Sequence, residues 1–122
     1  MAQKTILLVD DAAFMRSVLR KILTNNGYNV VGEAENGQIA IEKYKELKPD
    51  LTVLDVTMDV LDGIDAVKGI MAFDPDAKLI MCSAMMGQTA LVNEAIEMGA
   101  LDFIKKPFKM EQVLETVQRI IG

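Results

Sequence analysis

The chain has 122 residues, with 13 Lys plus Arg against 18 Asp plus Glu, no histidine and a formal net charge of −5. With 51% hydrophobic and 25% charged residues it has a globular composition, at a length that suits one domain over residues 1–122 with a sizeable core. The acidic balance disfavours nucleic acid, and no apolar run reaches the roughly 18 residues that a membrane span needs.

A single cysteine, Cys82, excludes an internal disulfide and suits a reducing cytoplasm, where the protein is expected to be soluble. Met1-Ala2-Gln3-Lys4 runs into a strand-like segment without the pattern of a secretory leader. The absence of histidine rules out Ser-His-Asp and Cys-His catalysis and a His-ligated zinc. Any phosphohistidine chemistry would need a partner's histidine.

Along the chain, short apolar runs alternate with longer stretches of helical spacing. Thr5–Val9 reads as a strand, and Phe14, Val18, Leu19, Ile22 and Leu23 then share a helix face that closes at Asn25-Asn26-Gly27. Asn29–Ala34 is the second strand, followed by a helix with Ala40, Ile41, Tyr44 and Leu47 on one face and an exit at Lys48-Pro49-Asp50. Leu51–Leu54 is the third, with Ile64, Val67, Ile70 and Met71 after it and a break at Asp74-Pro75-Asp76. Leu79–Cys82 is the fourth, with Leu91, Val92, Ala95 and Ile96 before Met98-Gly99. Asp102–Ile104 is the fifth, and Met110, Val113, Leu114, Val117 and Ile121 complete the set.

The strands are mostly continuous in apolar character, which suits a parallel sheet covered on both faces. Five strand–helix units with right-handed crossovers predict a doubly wound (βα)5 α/β domain. In such sheets ligands sit beyond the carboxyl ends of the strands, where the winding reverses. Asp10 and Asp11 follow strand one, Asp55 strand three, Ser83 strand four and Lys106 strand five. Strand two ends in Glu33-Ala34-Glu35, with no comparable polar anchor expected there. In a strand order 2-1-3-4-5 the reversal lies between strands one and three, where Asp10, Asp11 and Asp55 would meet.

Three carboxylates in one crevice repel each other unless a counter-charge joins them. A hard cation answers this, and magnesium fits best because it takes one or two carboxylates together with waters and phosphate oxygens. An EF-hand spacing for calcium is absent. A carboxylate beside such a metal can attack phosphorus and become an aspartyl phosphate. Lys106 and the Ser83 hydroxyl would then answer the phosphoryl oxygens. Singly these residues say little, since paired acids are most often solvated or cap helices; their agreement on one sheet edge carries the reading. Cys82 reads as core, and Met85-Met86 as an adaptable loop pair.

The segments Ile6-Leu7-Leu8-Val9-Asp10-Asp11, Leu54-Asp55-Val56-Thr57-Met58, Ser83-Ala84 and Lys106-Pro107-Phe108 resemble the receiver domains of two-component response regulators, over the whole chain. The run Asp10-Asp11-Ala12-Ala13-Phe14-Met15-Arg16 is similar, more narrowly, to single-domain chemotaxis regulators of the CheY type. The resemblance implies the flavodoxin-like order 2-1-3-4-5 and a set of roles. Asp55 would be the phosphoacceptor. Asp10, Asp11, Asp55 and the Thr57 backbone carbonyl would hold Mg2+, with Mn2+ able to substitute. Ser83, Ala84 and Lys106 would contact the phosphoryl group, Phe103 would be the aromatic switch, and the Lys106–Pro107 bond would be cis. Lys105 would point to the opposite face of the strand from Lys106.

It also implies a monomeric switch and not a turnover enzyme, catalysing only its own phosphorylation and dephosphorylation. A CheA-like sensor histidine kinase would be the phosphodonor. The output, from helix four, strand five and helix five, would go to a flagellar motor switch or a phosphatase. A receiver of a phosphorelay, or one cut from a longer regulator, would share these features, and Gly122 closes the fifth helix in either case. A flavodoxin-like carrier is disfavoured because Asp10-Asp11 would repel a cofactor phosphate. An aspartyl-phosphate phosphatase is disfavoured because its Asp-x-Asp pattern is not met. Two departures from the family pattern mark modulators: Asp59 stands where proline is usual, and one surplus residue falls near Met85-Met86-Gly87.

Overall fold

A computed structural model describes residues 3–56, Met58, residues 62–83 and residues 89–122. Thr57, Asp59, Ala84, Met85 and Met86, to which roles were assigned above, lie outside the described residues.

Strands β1 (Thr5–Val9), β2 (Asn29–Ala34), β3 (Leu51–Asp55), β4 (Leu79–Ser83) and β5 (Asp102–Lys105) alternate with helices α1 (Ala13–Thr24), α2 (Gly37–Leu47), α3 (Gly63–Phe73), α4 (Thr89–Glu97) and α5 (Met110–Ile121). All four strand pairings are parallel, and the order is β2-β1-β3-β4-β5. The last three strands run one residue further than their apolar runs, because Asp55, Ser83 and Lys105 still pair with their neighbours.

Side-chain alternation explains why the strands lack a polar face. Ile6 and Leu8 of β1 pack with Leu19 and Leu23 of α1 and Val113, Val117 and Ile121 of α5. Leu7 and Val9 pack on the other face with residues of α2, α3 and α4, among them Tyr44, Val67, Ile70 and Ala95. Each strand therefore needs apolar residues at successive positions.

The loops are placed by local chemistry. The Asn36 side chain accepts from the Ile39 N–H at 2.9 Å and that of Asp62 from the Asp65 N–H at 3.0 Å, capping α2 and α3. Gly99 closes α4 with φ +125°, where a Cβ would lie 2.6 Å from Met71 Cε, so the site favours glycine twice over.

Three apolar positions do not join the core as their spacing predicts. Phe14 is 71% exposed, and Ile96 and Met110 are also exposed. Phe14 and Met110 stand in the first turns of α1 and α5, at the rim where the strands have ended and no sheet remains to cover them. Ile96 lies in the last turn of α4, beside the buried Ala95 that faces the sheet.

Candidate phosphoryl and metal site

The carboxyl edge of the sheet is assembled by backbone hydrogen bonds that continue past the strands. The Asp10 N–H donates to the Ala34 carbonyl at 3.0 Å, Val56 N–H to Cys82 at 3.0 Å and Lys106 N–H to Ser83 at 2.7 Å. These bonds bring residues from separate strands to one rim.

Asp10, Asp11 and Asp55 offer carboxylate oxygens that all lie within 4.8 Å of one another. Asp10 and Asp55 are buried, at 2% and 6% exposure, whereas Asp11 is exposed. Lys106 Nζ lies 2.9 Å from Asp10 Oδ2 and 3.5 Å from Asp55 Oδ1. Asp10 Oδ1 accepts from the Ala12 N–H at 2.9 Å, turning the chain into α1, whose N-terminus has no side-chain cap of its own.

The charges perturb one another. Burial, then the neighbouring Asp10 carboxylate, pushes the Asp55 pKa up to about 6 against the partial relief from Lys106. Burial works against the Lys106 ammonium, but its bond to Asp10 and the charge of Asp55 outweigh this and hold its pKa above the ordinary value. Burial pushes the Cys82 thiol up, so the donor set facing the crevice is carboxylate oxygen and not thiolate. Such a set fits a hard divalent cation.

Ser83 is buried at the end of β4. The Lys106–Pro107 peptide bond is cis. Phe103 is half-buried on β5 and packs against the α2–α4 side of the core; its N–H donates to Asp102 Oδ1 at 2.8 Å. Lys105 is exposed whereas Lys106 is half-buried.

Three residues of this edge escaped sequence reasoning. Glu33, at a strand end where no polar anchor was expected, accepts from Arg16 Nε and from Arg20 Nε, each at 2.8 Å. Arg16 in turn donates through Nη1 to the Asp10 carbonyl. The readable signal was the one-turn spacing of Arg16 and Arg20, which puts both on the side of α1 that meets β2. The third is Gly63. A Cβ there would lie 2.1 Å from the Asp55 carbonyl oxygen and 2.9 Å from that of Val56, so α3 reaches the end of β3 only because this residue has no side chain.

Comparison with known proteins matches this geometry. Residues 6–118 match the response regulator receiver domain, and the chain belongs to that family. Receiver domains are signalling switches that bind magnesium at this acidic pocket. Among its relatives, the chain is 57% identical over 117 residues to chemotaxis protein CheY of Thermotoga maritima, covering 96% of this chain and 97% of that protein. It is 54% identical over 117 residues to CheY of Bacillus subtilis, with the same shares covered. A crystal structure of the CheX–CheY–BeF3–Mg2+ complex from Borrelia burgdorferi aligns with TM-score 0.91 at 36% identity, over 98% of this chain and 90% of that one. Among the described residues, no helix is long and apolar enough to cross a membrane.

Proposed function

We propose that residues 1–122 form one receiver domain, a monomeric cytoplasmic switch that takes a phosphoryl group on Asp55 and signals in chemotaxis. One observation carries the reading: Asp10, Asp11 and Asp55 converge within 4.8 Å beside a single lysine. The phosphodonor is the phosphohistidine of a CheA-like sensor kinase, since the chain has no histidine of its own. Sequence kinship with CheY proteins supports the chemotaxis assignment.

In the transfer, Asp55 attacks phosphorus as its carboxylate, an O–P bond forms, and the donor's N–P bond breaks with the electron pair returning to the imidazole. Asp10, Asp11 and Asp55 would hold Mg2+, or Mn2+ in its place, with the Thr57 carbonyl as a further ligand. The bound cation supplies charge neutralisation for the phosphoryl oxygens. Lys106 Nζ already lies 3.5 Å from Asp55 Oδ1, and it pairs with a phosphoryl oxygen as the group arrives. Ser83 donates its hydroxyl to another phosphoryl oxygen, and Ala84 follows it. Phe103 then turns inward, and α4, β5 and α5 present a changed surface to a motor switch or a phosphatase. Hydrolysis of the aspartyl phosphate in the same site resets the switch.

Incubation with acetyl phosphate, with and without magnesium, followed by intact mass, tests the reading. Wild type is expected to gain one phosphoryl group only with the metal, and Asp55→Asn none. A gain of the same size in Asp55→Asn would overturn it.

A further inference from the structure

The acidic pair is held from behind by a guanidinium that the proposed chemistry does not use. Arg16 Nη1 donates to the Asp10 backbone carbonyl at 2.5 Å, while its Nε donates to Glu33 Oε1 at 2.8 Å. Arg20 occupies the other oxygen of Glu33, with Nη2 at 2.7 Å. Burial disfavours the Glu33 carboxylate, but the two guanidiniums outweigh it and hold its pKa below the ordinary value. Glu33 is thus a fixed anion on β2, and Arg16 a strut from it to the backbone just past β1.

That carbonyl belongs to the peptide joining Asp10 to Asp11. The Asp10 side chain has restraints of its own, from the Ala12 N–H and from Lys106. Asp11 is exposed, and among the described residues no hydrogen bond holds its carboxylate, so the orientation of its peptide, which sets the direction of its Cα–Cβ bond, is what aims it. We propose that Arg16, anchored by Glu33, is a positioning residue that fixes the Asp10–Asp11 peptide so that both acids face one divalent cation together with Asp55. The inference deepens the reading above and rests on it.

Removing Arg16 has two effects of opposite sign. Loss of a positive charge near the acids tightens a cation by electrostatics alone; loss of the strut frees the peptide and loosens it. Asp11 is exposed, so water reaches the crevice and screens the first effect. Partners that orient metal ligands are typically worth about 10–100-fold in metal affinity. Positioning therefore wins.

Calorimetric titration of Mg2+ into the metal-free, unphosphorylated chain reads this directly. Arg16→Ala is expected to raise the dissociation constant about ten-fold, the low end of that range. Arg16→Lys recovers only part of the loss, because a shorter, single-nitrogen head lacks the planar fork whose Nε and Nη1 reach Glu33 and the carbonyl in fixed directions. Arg20→Ala stays close to wild type. At saturating magnesium Arg16→Ala is phosphorylated by acetyl phosphate at nearly the wild-type rate, which places the loss in metal binding. A dissociation constant for Arg16→Ala equal to or below that of wild type overturns the inference. An equal loss in Arg20→Ala does the same, since that variant also cuts an ion pair of Glu33 without touching Asp10. Circular dichroism checks folding, and Arg16→Lys carries the comparison should the alanine variant not fold. Wild type that binds magnesium but leaves Asp55 unmodified would refute the phosphoryl reading and not the role of Arg16.

Discussion

Lys106 sits nearer to Asp10 than to Asp55: its ammonium is 2.9 Å from the first carboxylate and 3.5 Å from the second. One cation thus serves two buried acids that would otherwise repel each other, and its closer partner is an acid assigned to the metal. A divalent ion at this edge would compete with Lys106 for Asp10. Occupation by the ion would release the lysine toward Asp55, the proposed phosphoacceptor.

Lys106→Ala leaves two buried carboxylates without their cation. Removing one partner of a buried ion pair is strongly destabilising, by about 3–5 kcal/mol where the charge left behind stays fully desolvated. Here the loss expected in metal-free protein is about 2 kcal/mol at pH 7.5, because Asp11 and the crevice remain open to water. The loss shrinks toward pH 5, since without the lysine Asp55 takes up a proton more readily. Urea unfolding at the two pH values checks both statements.

Asp55→Asn has the opposite sign. Asp55 has a folded pKa of about 6, above its ordinary 3.8, so its charge costs stability above pH 6 and costs nothing once both folded and unfolded states are protonated. The variant is expected to be about 1–3 kcal/mol more stable than metal-free wild type at pH 7.5. This advantage fades as the pH falls through 6 toward 4, and a pH series of unfolding midpoints measures it.

Magnesium works in the other direction. A ligand that binds only the folded chain stabilises it by about 2.7 kcal/mol at a hundred times its dissociation constant. Wild type is expected to gain about this much, and Asp10→Asn much less at the same magnesium concentration. Thermal scans with magnesium and then with a chelator report the difference.

Gly63→Ala puts a methyl group 2.1 Å from the Asp55 carbonyl oxygen. Backbone lies on both sides of the clash, so α3 must retreat from β3, at a cost of about 1–3 kcal/mol for an overpacked site. The Gly63 N–H, now 3.0 Å from the Val56 carbonyl, loses that bond in the process. Lowered stability together with slower acetyl-phosphate labelling of Asp55 is expected.

Arg119→Ala is the surface counterpart. Arg119 pairs with Asp102, but its side chain is 56% exposed. An exposed pair contributes about 0–1 kcal/mol, so stability should change little. Asp55 labelling is expected to be unchanged.

The legible part of this protein was local in character. Apolar runs marked all five strands, and the polar residues directly after them marked the rim; Asp10, Asp55, Ser83 and Lys106 stand there. Phe14 was misread because helical spacing says which residues share a face, and not whether a sheet extends under that face. Glu33 was passed over because its meaning depends on Arg16 and Arg20 crossing to meet it from another element. Gly63 looked like any glycine at a helix start, since the carbonyl it must clear belongs to a strand that precedes it in the chain.

Composition and pattern alone therefore determined what the rim has to offer: carboxylate oxygens, no histidine, and strands buried on both faces. Tertiary structure decided which charges meet. Lys106 and Asp10 are 96 positions apart, and nothing in either segment encodes the 2.9 Å between them. That distance comes from parallel strands whose order is set by crossovers, and the sharing of one cation between two acids comes with it. Local preferences act over a few residues, whereas charge interactions depend on separation in space, so the electrostatics of the rim exist only once the sheet is assembled.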